Sequence, residues 1–124
     1  MAQRAFSKKH DPGTWGPAVA GTVEAEETYL SNIIKETWEE IGLEVIETDL
    51  IVGPKERIAK PNRNYFTQWF LLTRDIDISE LRVQTDEVEH IAWRNKQELL
   101  ETFAAHPEQF VTSATTWLPM FCKP

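Results

Sequence analysis

The stretch Gly21 to Leu43, GTVEAEETYLSNIIKETWEEIGL, constrains the fold of this chain more than any other segment. It sets Glu36, Glu39 and Glu40 within one helical turn, between Gly21 and Gly42. At about 3.6 residues per turn, the three carboxylates share one narrow helix face. Leu30, Ile34, Trp38 and Ile41 fall opposite and are the expected core contacts. Like charges at this spacing repel each other and weaken a helix. A hard divalent cation such as Mg²⁺ turns that repulsion into binding. Thr28 suits an N-cap and Gly42 a C-terminal stop, which predicts a helix over about residues 29–41.

The spacing carries more than an acidic helix. From Gly21 the pattern runs Gly, five residues, Glu27, seven residues, Lys35-Glu36, two residues, Glu39-Glu40, one residue, Gly42-Leu43. This resembles the Nudix box, the signature of the Nudix hydrolases. All four glutamates and both glycines match. Lys35 stands where the family has Arg, and Thr37 where it has an aliphatic residue. At average residue usage, four Glu and two Gly align at a given start about once in ten million or less.

The flanks extend the likeness. Gln3-Arg4 through Pro12-Gly13 and Trp15 resemble the lead-in of the isopentenyl-diphosphate-isomerase-like branch. Glu87-Val88, Trp93 and Glu98-Leu99-Leu100 resemble its later part. The resemblance implies an α/β/α sandwich, with a mixed sheet and the box as a loop-helix-loop. Family members usually carry some twenty or more residues ahead of the Gln-Arg segment, which supply a first strand and much of a second. Here Met1 comes just before Gln3, so the expected fold is a single Nudix domain over residues 1–124, short at its N-terminus and lacking the usual N-terminal strand or strands. An uncovered strand edge invites pairing with another chain. A homodimer that covers the edge is the expectation.

Composition bounds the setting. The 124 residues are enough for one domain with a core. Hydrophobic residues make up 41% and charged residues 27%, a globular profile. No apolar run approaches a membrane span, and MAQRAFSKKH lacks the apolar centre of a signal peptide. Cys122 is the single cysteine, so no intrachain disulfide forms, and a cytoplasmic enzyme is the simplest fit. The net charge of −7 argues against general nucleic-acid binding. A small phosphorylated substrate remains compatible, because metal ions reverse the local charge of a site.

Along the chain, residues 1–20 read as a strand end followed by a basic, turn-rich loop. Leu43 to Val52 reads as one or two short strands. Residues 53–63, GPKERIAKPNR, read as a basic loop with two prolines. Tyr65 to Thr73 is nearly continuous apolar sequence and predicts a central strand buried on both faces. An acidic connection, Asp75 to Glu87, leads to a strand over Val88 to Trp93. Asn95 with Glu98 predicts a helix start, with the helix running to about Ala105. Pro107 is placed to open a last helix that buries Phe110, Val111, Trp117 and Phe121.

The resemblance assigns chemistry residue by residue. Glu36, Glu39 and Glu40 become metal ligands for Mg²⁺ or Mn²⁺, with the backbone carbonyl of Ala20 facing the same ion. Gly21, Glu27, Lys35 and Gly42 become the structural frame of the box. The implied reaction is hydrolysis of a diphosphate linkage in a nucleoside-diphosphate-type or related substrate. Glu40 or Glu39 would take the proton of the attacking water. Glu87 is a second candidate and Glu89 a further one. Arg4, Lys8, Lys9, Arg57 and Arg63 are candidate phosphate contacts, and Trp15, Tyr65 and Trp69 candidate stacking surfaces. Two other readings compete. A non-catalytic Nudix-fold binding or regulatory module often loses box glutamates, whereas all four stand here. The isomerase uses a Cys before the box glycine and a His after it, where this chain has Ala20 and Thr22.

Overall fold

The computed structural model describes residues 1–122. Strand β1 (Ala2–Arg4) is central in a three-stranded antiparallel sheet, between β2 (Trp15–Gly16) and β5 (Val88–Ile91). Strands β3 (Leu50–Lys60) and β4 (Arg63–Leu72) form a separate antiparallel hairpin. One parallel bridge joins Trp15 to Phe110. Helices α1 (Tyr29–Ile41), α2 (Lys96–Ala105) and α3 (Ala114–Phe121) complete a mixed α/β arrangement.

Helix α1 has the predicted bounds because its ends are capped. The Thr28 hydroxyl accepts from Ser31 N–H at 2.9 Å, and the Ser31 hydroxyl accepts from Thr28 N–H at 2.9 Å. This reciprocal pair satisfies donors that a helix start leaves free. At the other end Gly42 takes φ 67°, a left-handed conformation that suits glycine. The buried stripe differs from the expected one. Of Leu30, Ile34, Trp38 and Ile41 only Ile41 is fully buried, and Trp38 is 52% exposed. The helix is turned so that Ile33, Thr37 and Ile41 face inward, while the Arg82 guanidinium lies 5.5 Å from the Trp38 ring centroid. A cation over an indole face compensates partly for its exposure.

The basic segment 53–63 is strand, not loop. Both prolines sit where no ladder donor is needed: Pro54 in the register shift between Val52 and Lys55, Pro61 in the hairpin turn. Leu43 to Val52 contributes strand only from Leu50, because a 3₁₀ turn at Glu47–Asp49 comes first. Asp49 fixes that turn by accepting from Ile46 N–H and pairing with Arg74 at 2.9 Å. The segment expected to be a fully buried central strand is β4, which has one strand neighbour and leaves Phe66 55% exposed.

The packed core lies at the C-terminal end. Leu99, Phe110, Ala114, Trp117 and Leu118 are buried together. Trp69 of β4 packs on Trp117 and Phe121, with ring centroids 5.6 and 4.9 Å away. Phe103 meets Phe110 edge-on at 5.2 Å. Burying each large side chain contributes about 1.5–3 kcal/mol. Asn95 caps α2 by accepting from Glu98 N–H, as its sequence predicts. Pro107 opens only a 3₁₀ turn, Pro107–Gln109, and α3 starts at Ala114. No helix among the described residues is long and apolar enough to cross a membrane.

Candidate functional site

Helix α1 carries Glu36 and Glu40 along the border of its inward face, Glu40 two turns after Ile33, and turns Glu39 out to solvent. Glu40, at the last turn, is only 8% exposed, and its Oε2 is buried without a hydrogen-bond partner among the described residues. Burial first, then the fields of Glu36 and Glu87, push its carboxyl up to about 8. The backbone of Ala20 and the charge of Lys8 pull the other way. Glu36 is also raised, by burial and then by the charge of Glu39. An ionised carboxylate in such surroundings lacks compensation, and a proton or a cation supplies it.

Gly21 is required by contact. A Cβ on Gly21 would stand 2.4 Å from Glu36 Cγ and 2.6 Å from its Cδ. The glycine therefore lets the loop ahead of α1 close onto Glu36. Glu27 and Lys35 brace that loop. Lys35 Nζ lies 2.7 Å from Glu27 Oε2 and 3.8 Å from Glu36 Oε1. Glu27 also accepts from Glu24 N–H at 2.9 Å. The pairing with Lys35, followed by that backbone bond, lowers the Glu27 carboxyl, and the same pair raises Lys35. One ammonium replaces the two-pronged contact an Arg would make. Thr37 is accommodated because its hydroxyl donates to Ile33 O at 2.6 Å.

Glu87 arrives from the loop before β5, held by an ion pair of 2.7 Å with Lys8. The sequence places Lys8 among phosphate contacts, whereas here its charge is spent on a carboxylate of the site. Glu39 is exposed, and Glu89 is exposed on β5. Arg4 donates from Nε to His10 O at 3.0 Å. Trp15 packs against the C-terminal core, with Arg94 5.4 Å from its ring centroid. Tyr65 lies on β4, 4.6 Å from the Arg63 guanidinium carbon. Of the candidate residues, then, Glu36, Glu40, Glu87 and Ala20 share one electrostatic neighbourhood, Tyr65 borders a cavity that Ala20 also lines, and Trp15 packs against the C-terminal core.

Asn32 escapes a sequence reading. It is buried beside the box and donates to Thr22 O at 3.0 Å and to Glu27 Oε1 at 3.3 Å. Its one signal is position: a polar residue one turn before Glu36 on the box helix.

Among the described residues no three His, Cys, Asp or Glu side chains converge as a ready-made cage. Mg²⁺ does not require one: it keeps several waters and takes one or two carboxylates together with substrate phosphate. The orphaned Oε2 of Glu40 and the Gly21 cradle against Glu36 fit such an ion.

The NUDIX domain family matches residues 1–114. No curated protein matches the chain. Among solved structures, the crystal structure of DR0079 from Deinococcus radiodurans matches with a TM-score of 0.75 and 21% identity, covering 99% of this chain and 73% of that one. Identity at that level speaks for the fold. With the family match running through the box and on to residue 114, this chain belongs to the Nudix domain family, a family of hydrolases.

Proposed function

We propose that the protein is a cytoplasmic, divalent-metal-dependent pyrophosphohydrolase that cleaves a diphosphate linkage in a nucleoside-diphosphate-type or related substrate. The observation that carries this reading is the buried, partnerless Oε2 of Glu40, set beside Glu36 and Glu87. Glu36, Glu39, Glu40 and the carbonyl of Ala20 would hold Mg²⁺ or Mn²⁺. When bound, that ion neutralises the diphosphate and acidifies a water. Glu40 or Glu39 serves as proton acceptor, and Glu87 is the second candidate for that role. Lys8 holds Glu87 in place, and Lys35 with Glu27 keeps the loop at Gly21 closed on Glu36.

The test is a panel of diphosphate compounds with Mg²⁺, comparing wild type with Glu40→Gln. Turnover by wild type that is lost in the variant supports the reading. Silence across the panel, from folded protein that binds Mg²⁺, favours the non-catalytic module. The spread of the carboxylates along α1, with no closed cage, is the feature that suits that second reading.

We further propose a homodimer in which a second copy covers an open sheet edge. Ile51 and Val52 on the outer strand β3 are 60% and 70% exposed, which supports it. Light scattering at micromolar concentration is the check, and a sharply monomeric species overturns it.

A further inference from the structure

Between α1, the hairpin and the three-stranded sheet lies a half-open cavity of about 740 Å³. None of Glu36, Glu39, Glu40 or Glu87 lines it, but Ala20 and Gly21 do, so it adjoins the carboxylate site from the other side of the loop. Its walls are largely apolar: Ile33 and Ile41 on the helix side, Trp69, Trp117 and Phe121 on the other.

The pattern of lining residues on the strands shows what the cavity meets. Every residue from Tyr65 to Leu72 borders it, although alternate side chains of a strand point to opposite faces. Strand β3 contributes only Leu50. A cavity that touches consecutive residues of one strand and almost none of its partner looks onto that strand's free edge. On the far side it is bordered by Ile91, the last residue of β5, by Ala92 and Trp93 beyond it, and by Met1, which bonds both backbone groups of Ala92 and leaves those of Ile91 on the outer edge. Strand β5 is the edge of its sheet, and β4 is the edge of the hairpin. Apart from the ladder with β3, no backbone group of residues 63–72 has a backbone partner among the described residues. Two unpaired strand edges thus border one apolar space. Unpaired backbone groups facing apolar surroundings are costly.

The surface area agrees. The chain exposes 8503 Å². A compact monomer of 14.3 kDa is expected to expose about 6,800 Å². The excess, about 1,700 Å², is more than the roughly 800 Å² that one partner contributes to a standard interface.

We propose that this cavity takes one extended apolar segment of a partner polypeptide as an added strand, paired with β4 on one side and β5 on the other. The occupant must be free along both of its edges and apolar on both of its faces, since α1 covers one face and Trp69 with α3 the other. Its length is that of an ordinary strand, about five to six residues. A second copy of this chain does not meet the requirement. Its strands β3, β4 and β5 each have one edge already paired, so none of them bridges β4 and β5 together.

The test uses the full chain and a synthetic peptide. The probe is a capped octapeptide of alternating valine, isoleucine and leucine with a lysine at each end. Its control has the same side chains with alternate backbone nitrogens methylated. Binding is followed by titration calorimetry, and strand pairing by hydrogen exchange over residues 65–72 and 89–92. The expected result is one-to-one binding with at least about tenfold slower exchange in both segments, and no binding of the methylated control. Equal binding of the control overturns the proposal, because the cavity would then take apolar groups without strand pairing. Failure of the probe to bind overturns it too. So does protection of both segments that grows with protein concentration alone, which would assign the cavity to a second copy.

Discussion

At the scale of single residues, the carboxylates of α1 divide by environment. Glu40 is buried and Glu39 exposed, though they are adjacent in sequence. Glu40→Gln keeps the shape and removes the charge, so activity should fall by about 10²–10⁴-fold in steady-state assays. The same carboxyl makes a stability prediction for metal-free protein. Its folded value of about 8 lies above the ordinary 4.5, so the folded state holds an extra proton between those values. The stabilising contribution is therefore complete below the ordinary value and is lost as pH rises through the folded one. In chelator, the melting temperature of wild type should drop across that window, and Glu40→Gln should lessen the drop. Gly21→Ala should lower activity while leaving the helix intact by circular dichroism, because the added Cβ displaces Glu36 and nothing in the core. The box glutamates were legible because spacing alone aligns them. Burial at Trp38 was not, because Ile33, Ile34, Trp38 and Ile41 offer a helix two overlapping apolar stripes, and only tertiary contact selects between them.

At the scale of elements, the helix ends were the most readable features, since a cap is a local decision. Thr28→Ala should destabilise by about 1 kcal/mol. Gly42→Ala should cost about 1 kcal/mol or more, because φ 67° strains an L side chain. Urea midpoints check both. The hairpin was the least readable element. Two prolines and four cations in residues 53–63 argue locally for a loop. Strand pairing prevails because Pro54 falls in the register shift and Pro61 in the turn. Cross-strand partners then hold the rest: Ile58 opposite Tyr65 and Arg57 opposite Phe66. Lys55 lies 4.9 Å from the Tyr29 ring centroid and 5.1 Å from that of Phe66, which gives the basic side chain an apolar footing.

At the scale of the whole molecule, contacts remote in sequence decide the outcome. Asp11 accepts from the Thr112 hydroxyl at 2.7 Å and from its N–H at 3.0 Å, tying the first loop to the last. Partial burial alone would raise this carboxyl, but the two bonds from Thr112, with Arg4 and His10 nearby, leave it lowered. Its contribution is present above the ordinary carboxylate value and lost as pH falls through the lowered one. Asp11→Asn should cost about 1 kcal/mol at neutral pH, and the difference from wild type should vanish in strong acid, as urea midpoints would record. Nothing in the sequence pairs residues 11 and 112. The apolar run at Tyr65 to Thr73 announced a strand, but not a central one buried on both faces: β4 has one strand neighbour, Phe66 is exposed, and one edge borders open space. That open interior has a calorimetric consequence. A chain of 124 residues ordinarily unfolds with a heat-capacity increase of about 1.5–1.9 kcal/mol/K. Here the native state already hydrates apolar surface that unfolding would otherwise expose, so the increment should be smaller. The curve of stability against temperature is then unusually flat, and this protein should weaken only gently on cooling.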